Sequence, residues 1–297
     1  MFLKMYLIGF FMKKNKNLKP IKERYSERFV NGVIDFTNRI DLIGMMFNNL
    51  EVNGLENVRE VVDKQLIYVS NHVSLADFLV QGHVILNEDL PFPRFIAGSN
   101  LKHFPFGYVW EKCGAIFVDR FNKSKTHLTD YIHEVFSAVD KGNGILVYPE
   151  GGRSYNGEIK ENLDLGTLRR LVDLDLKKDL LVIPVFVEYD KRIEQPFLKP
   201  IEYHRGKKKE HLVKAKKQAK KREYELAHWE KQLSSLHDKA YFGWDMFAYG
   251  VRFLQGDKGN AYLKFGKAFP LKDYLGGGGR NGLQDKILEE WKKLKEE

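Results

Sequence analysis

Two short segments combine residue types that could move a proton and hold an anion. The first is Asn71-His72-Val73-Ser74-Leu75-Ala76-Asp77. On one helix, residues five apart project about 140° from each other. His72 and Asp77 therefore meet only if His72 lies in a turn and Asp77 in the first helical turn after it. Ser74, a good N-cap residue, favours that arrangement. A carboxylate against one imidazole nitrogen fixes the tautomer and leaves the other nitrogen to take a proton. The nearby helix N-terminus favours a neutral ring, as a base must be. The same residues also fit a plain capping box of Ser74 and Asp77, with His72 as a turn residue.

The second segment is Tyr148-Pro149-Glu150-Gly151-Gly152-Arg153-Ser154. Two glycines let backbone N–H groups approach an anion closely. Arg153 adds a planar fork suited to phosphate. The loop lacks the lysine and spacing of a Walker loop, so a nucleoside triphosphate is not implied. A glycine turn braced by a Glu150–Arg153 ion pair is the structural alternative. Two further segments gain meaning in combination. Gly114-Ala115-Ile116-Phe117-Val118-Asp119-Arg120 places an arginine at a strand end. Val182-Ile183-Pro184-Val185 puts a proline in an apolar strand, where it deletes a ladder donor and suggests a strand end or bulge facing a site.

The elements around these segments alternate. Short apolar runs predict strands at Leu66–Val69, Arg94–Ala97, Ala115–Val118, Ile145–Tyr148, Leu180–Val187 and Ala261–Phe265. Most of these runs are apolar on both faces, as buried parallel strands are. Helical patterns fall at Leu75–Leu86, Lys102–Lys112, Thr126–Val139, Leu163–Leu176 and Leu283–Leu294, and residues 1–50 read as helical. The expectation is an α/β fold: a mixed, largely parallel sheet flanked by helices, forming one domain over residues 1–297. A long helix over 205–240, with a narrow apolar seam and a basic first half, looks inserted late in the chain.

Charge sharpens that picture. The net charge of +9 is concentrated between His204 and Glu223, where ten Lys and Arg face two Glu. The remainder is nearly neutral. One cysteine, Cys113, excludes an internal disulfide framework and a cysteine zinc cluster. No run reaches the ~18 apolar residues of a spanning helix. Met5–Met12 is short and followed by lysines, which argues against a signal peptide and suits either an interfacial helix or one packed on the core.

The four segments, in this order, resemble the blocks of the glycerolipid acyltransferase superfamily: His72 to Asp77, the Gly114–Arg120 strand, Glu150 to Ser154, and the Val-Pro strand at Pro184. The resemblance spans roughly residues 50–200. It implies transfer of a fatty acyl group from a thioester, acyl-CoA or acyl carrier protein, to a hydroxyl of a glycerol phosphate in phospholipid biosynthesis. By resemblance His72 is the general base and Asp77 orients it. Arg120, Glu150, Gly151, Gly152, Arg153 and Ser154 would shape the acceptor-phosphate site. No metal or other cofactor is called for, and no G-x-S-x-G turn suggests a serine hydrolase. Gly152 stands where lysophosphatidate enzymes usually carry threonine. Phe186–Glu194 looks like the glycerol-3-phosphate and dihydroxyacetone-phosphate enzymes, whereas the length is closer to the lysophosphatidate type. Glycerol 3-phosphate is thus the favoured acceptor and lysophosphatidate the alternative.

The basic helix suits an anionic membrane surface, at about 1 kcal/mol per lysine, or an acidic acyl carrier protein. The expected location is cytoplasmic and peripheral on the membrane. Aromatics within Phe242–Leu254 could add interfacial contact or simply pack in the core. Nucleic-acid binding through 205–223 is the rival from a different class, disfavoured because few aromatics interleave the charges. An inactive membrane scaffold of the same fold is the third reading, disfavoured by the intact His72–Asp77 pair.

Overall fold

The computed structural model describes residues 25–102, 106–119, 125–154, 156–175, 179–192, 258–274 and 279–297. The expectations for residues 1–24, Arg120, the basic segment 205–240 and Phe242–Leu254 lie outside them.

A mixed eight-stranded sheet organises the described residues. In chain order its strands are β1 (Leu50–Asn53), β2 (Gln65–Ser70), β3 (Arg94–Gly98), β4 (Ala115–Val118), β5 (Ile145–Val147), β6 (Leu180–Tyr189), β7 (Ala261–Phe265) and β8 (Phe269–Pro270). Their spatial order is β1-β7-β6-β2-β5-β3-β4, with β8 beside β6. Every pairing is parallel except those of β6 with β7 and β8. Parallel neighbours need crossovers, and here the crossovers are helical. Among the described residues the helices are α1 (Glu27–Arg39), α2 (Leu42–Met46), α3 (Leu55–Arg59), α4 (Ala76–Asn87), α5 (Phe106–Lys112), α6 (Lys125–Asp140), α7 (Gly166–Asp175) and α8 (Gly279–Glu296).

Strand β2 shows why both faces are apolar. Leu66 and Tyr68 pack into the core that holds Val30 of α1 and Val80 and Val84 of α4. Ile67 and Val69 pack on the opposite face with Val135 of α6, Leu168 of α7 and Trp291 of α8. Side chains two apart share a face, so a strand covered on both sides must be apolar throughout.

Three sequence expectations need correction. The N-terminal helical segment does not continue to Leu50. Asp41 adopts a left-handed backbone (φ 49°), ends α1 and caps α2 by accepting from the Gly44 N–H. Leu50–Asn53 then pairs with β7, a distant partner that periodicity cannot reveal. Helix α5 begins at Phe106, after a 3₁₀ turn at Ser99–Leu101. Pro184 is neither a strand end nor a site-facing bulge, since it sits inside β6, opposite Val69. Its carbonyl accepts from Gly266. N and O of one strand residue point the same way, so the missing donor faces the break between β7 and β8.

Candidate active site

Strands β2, β3, β4 and β5 all deliver their carboxyl ends to one edge of the sheet, where open α/β sheets bind ligands. Ser70 ends β2 and the chain turns through Asn71-His72-Val73-Ser74 into α4. The Asn71 side chain acts as a spare peptide unit. Its Nδ2 donates to the Val187 carbonyl (2.9 Å) and its Oδ1 accepts from the Val187 N–H (2.7 Å). The turn is thereby tied to β6 as the backbones part.

Helix α4 starts one residue later than Ser74 predicts, with Leu75 at the N-cap position in helical geometry. Ser74 still acts as a cap: its Oγ accepts from the Ala76 N–H (3.0 Å). Asp77 reaches back, and its Oδ2 accepts from the N–H groups of Val73 (2.8 Å) and Ser74 (3.0 Å). The same Oδ2 lies 2.7 Å from His72 Nδ1. The capping box and the histidine–carboxylate pair are one arrangement. Asp77 is fully buried, whereas the His72 side chain keeps 19% of its surface exposed.

Two aromatic residues, one from each neighbouring strand, complete the surroundings. Tyr148, following β5, stacks on the His72 ring with centroids 4.4 Å apart. Burial, and secondarily the Asp77 charge, push its phenol well above the ordinary range. Tyr189, the last residue of β6, donates its hydroxyl to Asp77 Oδ1 at 2.8 Å.

The Glu150–Ser154 loop leaves β5 beside the His72 turn and grips that turn's main chain. Glu150 Oε2 accepts from the His72 N–H (2.9 Å), and Oε1 accepts from the Lys160 N–H (3.1 Å). The Ser154 N–H donates to the His72 carbonyl (2.6 Å). Burial raises the Glu150 carboxyl above the usual carboxylate range, against the opposing pull of these two amides. Lys160 Nζ reaches the carbonyls of Glu150, Gly152 and Arg153 and fastens the loop from within. Gly151 has φ 68°, a left-handed value that favours glycine. Arg153 and Ser154 are buried, and the Ser154 hydroxyl bonds to the Glu158 carbonyl (2.7 Å).

The structure therefore brings His72, Asp77, Glu150 and Ser154 into direct contact. Gly151 joins His72 in the wall of a cavity of about 970 Å³. That cavity passes over the ends of β3, β4 and β5 at Gly98, Val118 and Val147. Its α4 wall is Leu75, Phe78, Leu79, Gly82, His83 and Leu86, a stripe at helical spacing about 16 Å long. Gly82 lets Phe92 pack closely on this wall, since a Cβ there would stand 3.3 Å from its ring. From α1 come Val30, Val33 and Ile34. An imidazole beside a long apolar channel suits a substrate with a reactive polar head and a hydrocarbon chain.

Sequence reasoning missed the roles of Tyr148, Tyr189, Asn71 and Lys160, although the first three lie in or beside the segments singled out. Only Tyr148 carried a usable signal, as the residue that brings the Glu150 loop off its strand.

Comparison with known proteins agrees with this geometry. Residues 49–188 match the family model described as Acyltransferase. Glycerol-3-phosphate acyltransferase of Baumannia cicadellinicola is 29% identical over 179 residues, covering 57% of this chain and 21% of that protein. Glycerol-3-phosphate acyltransferase of Pseudoalteromonas atlantica is 32% identical over 155 residues, covering 50% and 19%. The match thus spans about a fifth of these curated relatives. The crystal structure of the 1-acyl-sn-glycerophosphate (LPA) acyltransferase PlsC from Thermotoga maritima shares the fold, with a TM-score of 0.51 at 16% identity, over 98% of this chain and 88% of that one. The acyltransferase match runs from β1 into β6, through both the His72 turn and the Glu150 loop, and together with these relatives it supports the resemblance to the glycerolipid acyltransferase superfamily.

Proposed function

We propose that this protein transfers a fatty acyl group from an acyl thioester to a hydroxyl of a glycerol phosphate, with glycerol 3-phosphate as the favoured acceptor. The observation that carries the reading is the His72 Nδ1 to Asp77 Oδ2 contact of 2.7 Å in the wall of the apolar cavity. With Nδ1 engaged, Nε2 takes the proton of the acceptor hydroxyl. The oxygen attacks the thioester carbon, the C–S bond breaks, and the proton passes to the departing thiolate. The acyl chain lies along the α4 stripe. Arg120, Arg153 and the glycines of the Glu150 loop receive the acceptor phosphate. Acyl-CoA or acyl carrier protein supplies the thioester.

The names of the two acyltransferase relatives and Gly152 support glycerol 3-phosphate. The fold shared with the Thermotoga protein favours lysophosphatidate as the second reading. The protein works at a membrane surface: Phe36, Ile40 and Met45, around the α1–α2 junction, are exposed. No helix among the described residues is long and apolar enough to cross a membrane.

Purified protein given acyl thioester with glycerol 3-phosphate or lysophosphatidate in parallel is expected to release thiol, with the product identified by mass. Thiol release with neither acceptor removes the assignment. His72→Ala is expected to lower the rate by ~10²–10⁴, and full activity in that variant would remove the base.

A further inference from the structure

We infer that Tyr189 is a positioning residue for catalysis, holding the Asp77 carboxylate in the one rotation that presents Oδ2 to His72. The inference rests on the reading of His72 as the base. Asp77 is fully buried, and its two oxygens are unequally placed. Oδ2 faces three N–H groups, those of His72 Nδ1, Val73 and Ser74, at 2.7, 2.8 and 3.0 Å. Oδ1 faces the Tyr189 hydroxyl at 2.8 Å. A carboxylate turns readily about its last torsion, and a buried oxygen deprived of a donor drives such a turn, because leaving it unsatisfied is costly. Without the phenol O–H, Oδ1 competes for the N–H groups that now serve Oδ2, and the imidazole loses its fixed partner.

Tyr189 is itself held from several sides. It is 8% exposed, its ring stacks on Phe47 with centroids 5.2 Å apart, and its strand register opposite Ala261 is set by β7. Two residues earlier on the same strand, Val187 takes both hydrogen bonds of the Asn71 side chain. The turn carrying His72 and the strand carrying Tyr189 are thus bolted together beside the point where they share Asp77. A tyrosine serving the fold alone would satisfy its hydroxyl on any acceptor. This one uses the carboxylate that orients the proposed base.

The test is a double-mutant cycle on the full chain. Tyr189→Phe keeps the ring and its stacking and removes only the O–H. It is expected to lower kcat roughly ten- to a hundredfold, the range for a hydrogen bond to a charged group, with KM for thioester and acceptor little changed. In an Asp77→Asn background the same change is expected to cost less than about threefold, because its target is already gone. The far-downfield proton resonance of the His72–Asp77 hydrogen bond should move in Tyr189→Phe. Fluorotyrosine at 189 alters donor strength without altering shape, so it reads the same effect where the phenylalanine variant fails to fold. Full kcat in Tyr189→Phe, or an equal loss in both backgrounds, overturns the positioning role while leaving the base intact. Full activity in His72→Ala, by contrast, overturns the base reading itself.

Discussion

Asp77 and Glu150 make an instructive pair. Both are buried carboxylates just beyond the carboxyl ends of neighbouring parallel strands, and both bind His72. Asp77 holds the imidazole of His72 and is held in turn by the Tyr189 hydroxyl. The side-chain oxygens of Glu150 accept only main-chain amides among the bonds described, those of His72 and Lys160. One carboxylate is connected to the ring proposed as the base. The other fixes where that ring hangs. With the Ser154 amide on the His72 carbonyl, the Glu150 loop grips the His72 peptide on both sides. Two segments far apart in the chain are therefore one physical object, and their joint presence carries more meaning than either alone.

Separating the two roles is the sharpest way to challenge this comparison. Asp77→Asn is expected to cost a rate factor of ~10²–10⁴, as the loss of an oriented base does. Glu150→Gln turns an amide N–H towards one of the two backbone donors and leaves it unsatisfied, at about 1–3 kcal/mol of stability. Its rate loss is expected to be only about tenfold, arising through the tilt of the His72 peptide. Steady-state kinetics beside urea unfolding decides: if Glu150→Gln is as slow as Asp77→Asn and as stable as the parent, the division is wrong. A smaller effect is expected for Lys160→Met, which removes the ammonium from three loop carbonyls. The acceptor KM should rise about tenfold with kcat held within about threefold, the pattern of lost ground-state binding. A fall in kcat with KM unchanged would give Lys160 to the His72 side of the comparison instead.

The sequence was most legible where physics is local. β4 and β7 ran to their predicted ends, and β2, β3, β5 and β6 to within two residues, because double-sided burial demands largely apolar runs. The His72–Asp77 contact was legible too, since a five-residue gap permits it only across a turn and the start of a helix. What stayed hidden was set by distant partners. β1 exists because β7 pairs with it. Tyr189 reads in sequence as one more aromatic at a strand end, and nothing in its spacing points to Asp77. Lys160 sits in a polar loop where a lysine is ordinarily solvated. Pro184 was noticed but misplaced, because the gap that receives it belongs to the β7–β8 connection.

The finest difference between the two carboxylates concerns pH. Burial raises Glu150 above the ordinary carboxylate range, more strongly than the amides of Lys160 and His72 lower it. A raised acid binds its proton more tightly in the folded protein than in the unfolded chain. Its contribution to stability is complete below the unfolded value of about 4.3 and fades as the pH climbs through the higher folded value. Parent and Glu150→Gln should therefore be compared by urea unfolding at intervals from acid to neutral pH. The parent's advantage over the variant is expected to shrink as pH rises, since glutamine does not titrate. An advantage that grows with pH would mean that the two amides outweigh burial, and Glu150 would then be a fully ionised anchor of the same electrostatic kind as a well-paired carboxylate.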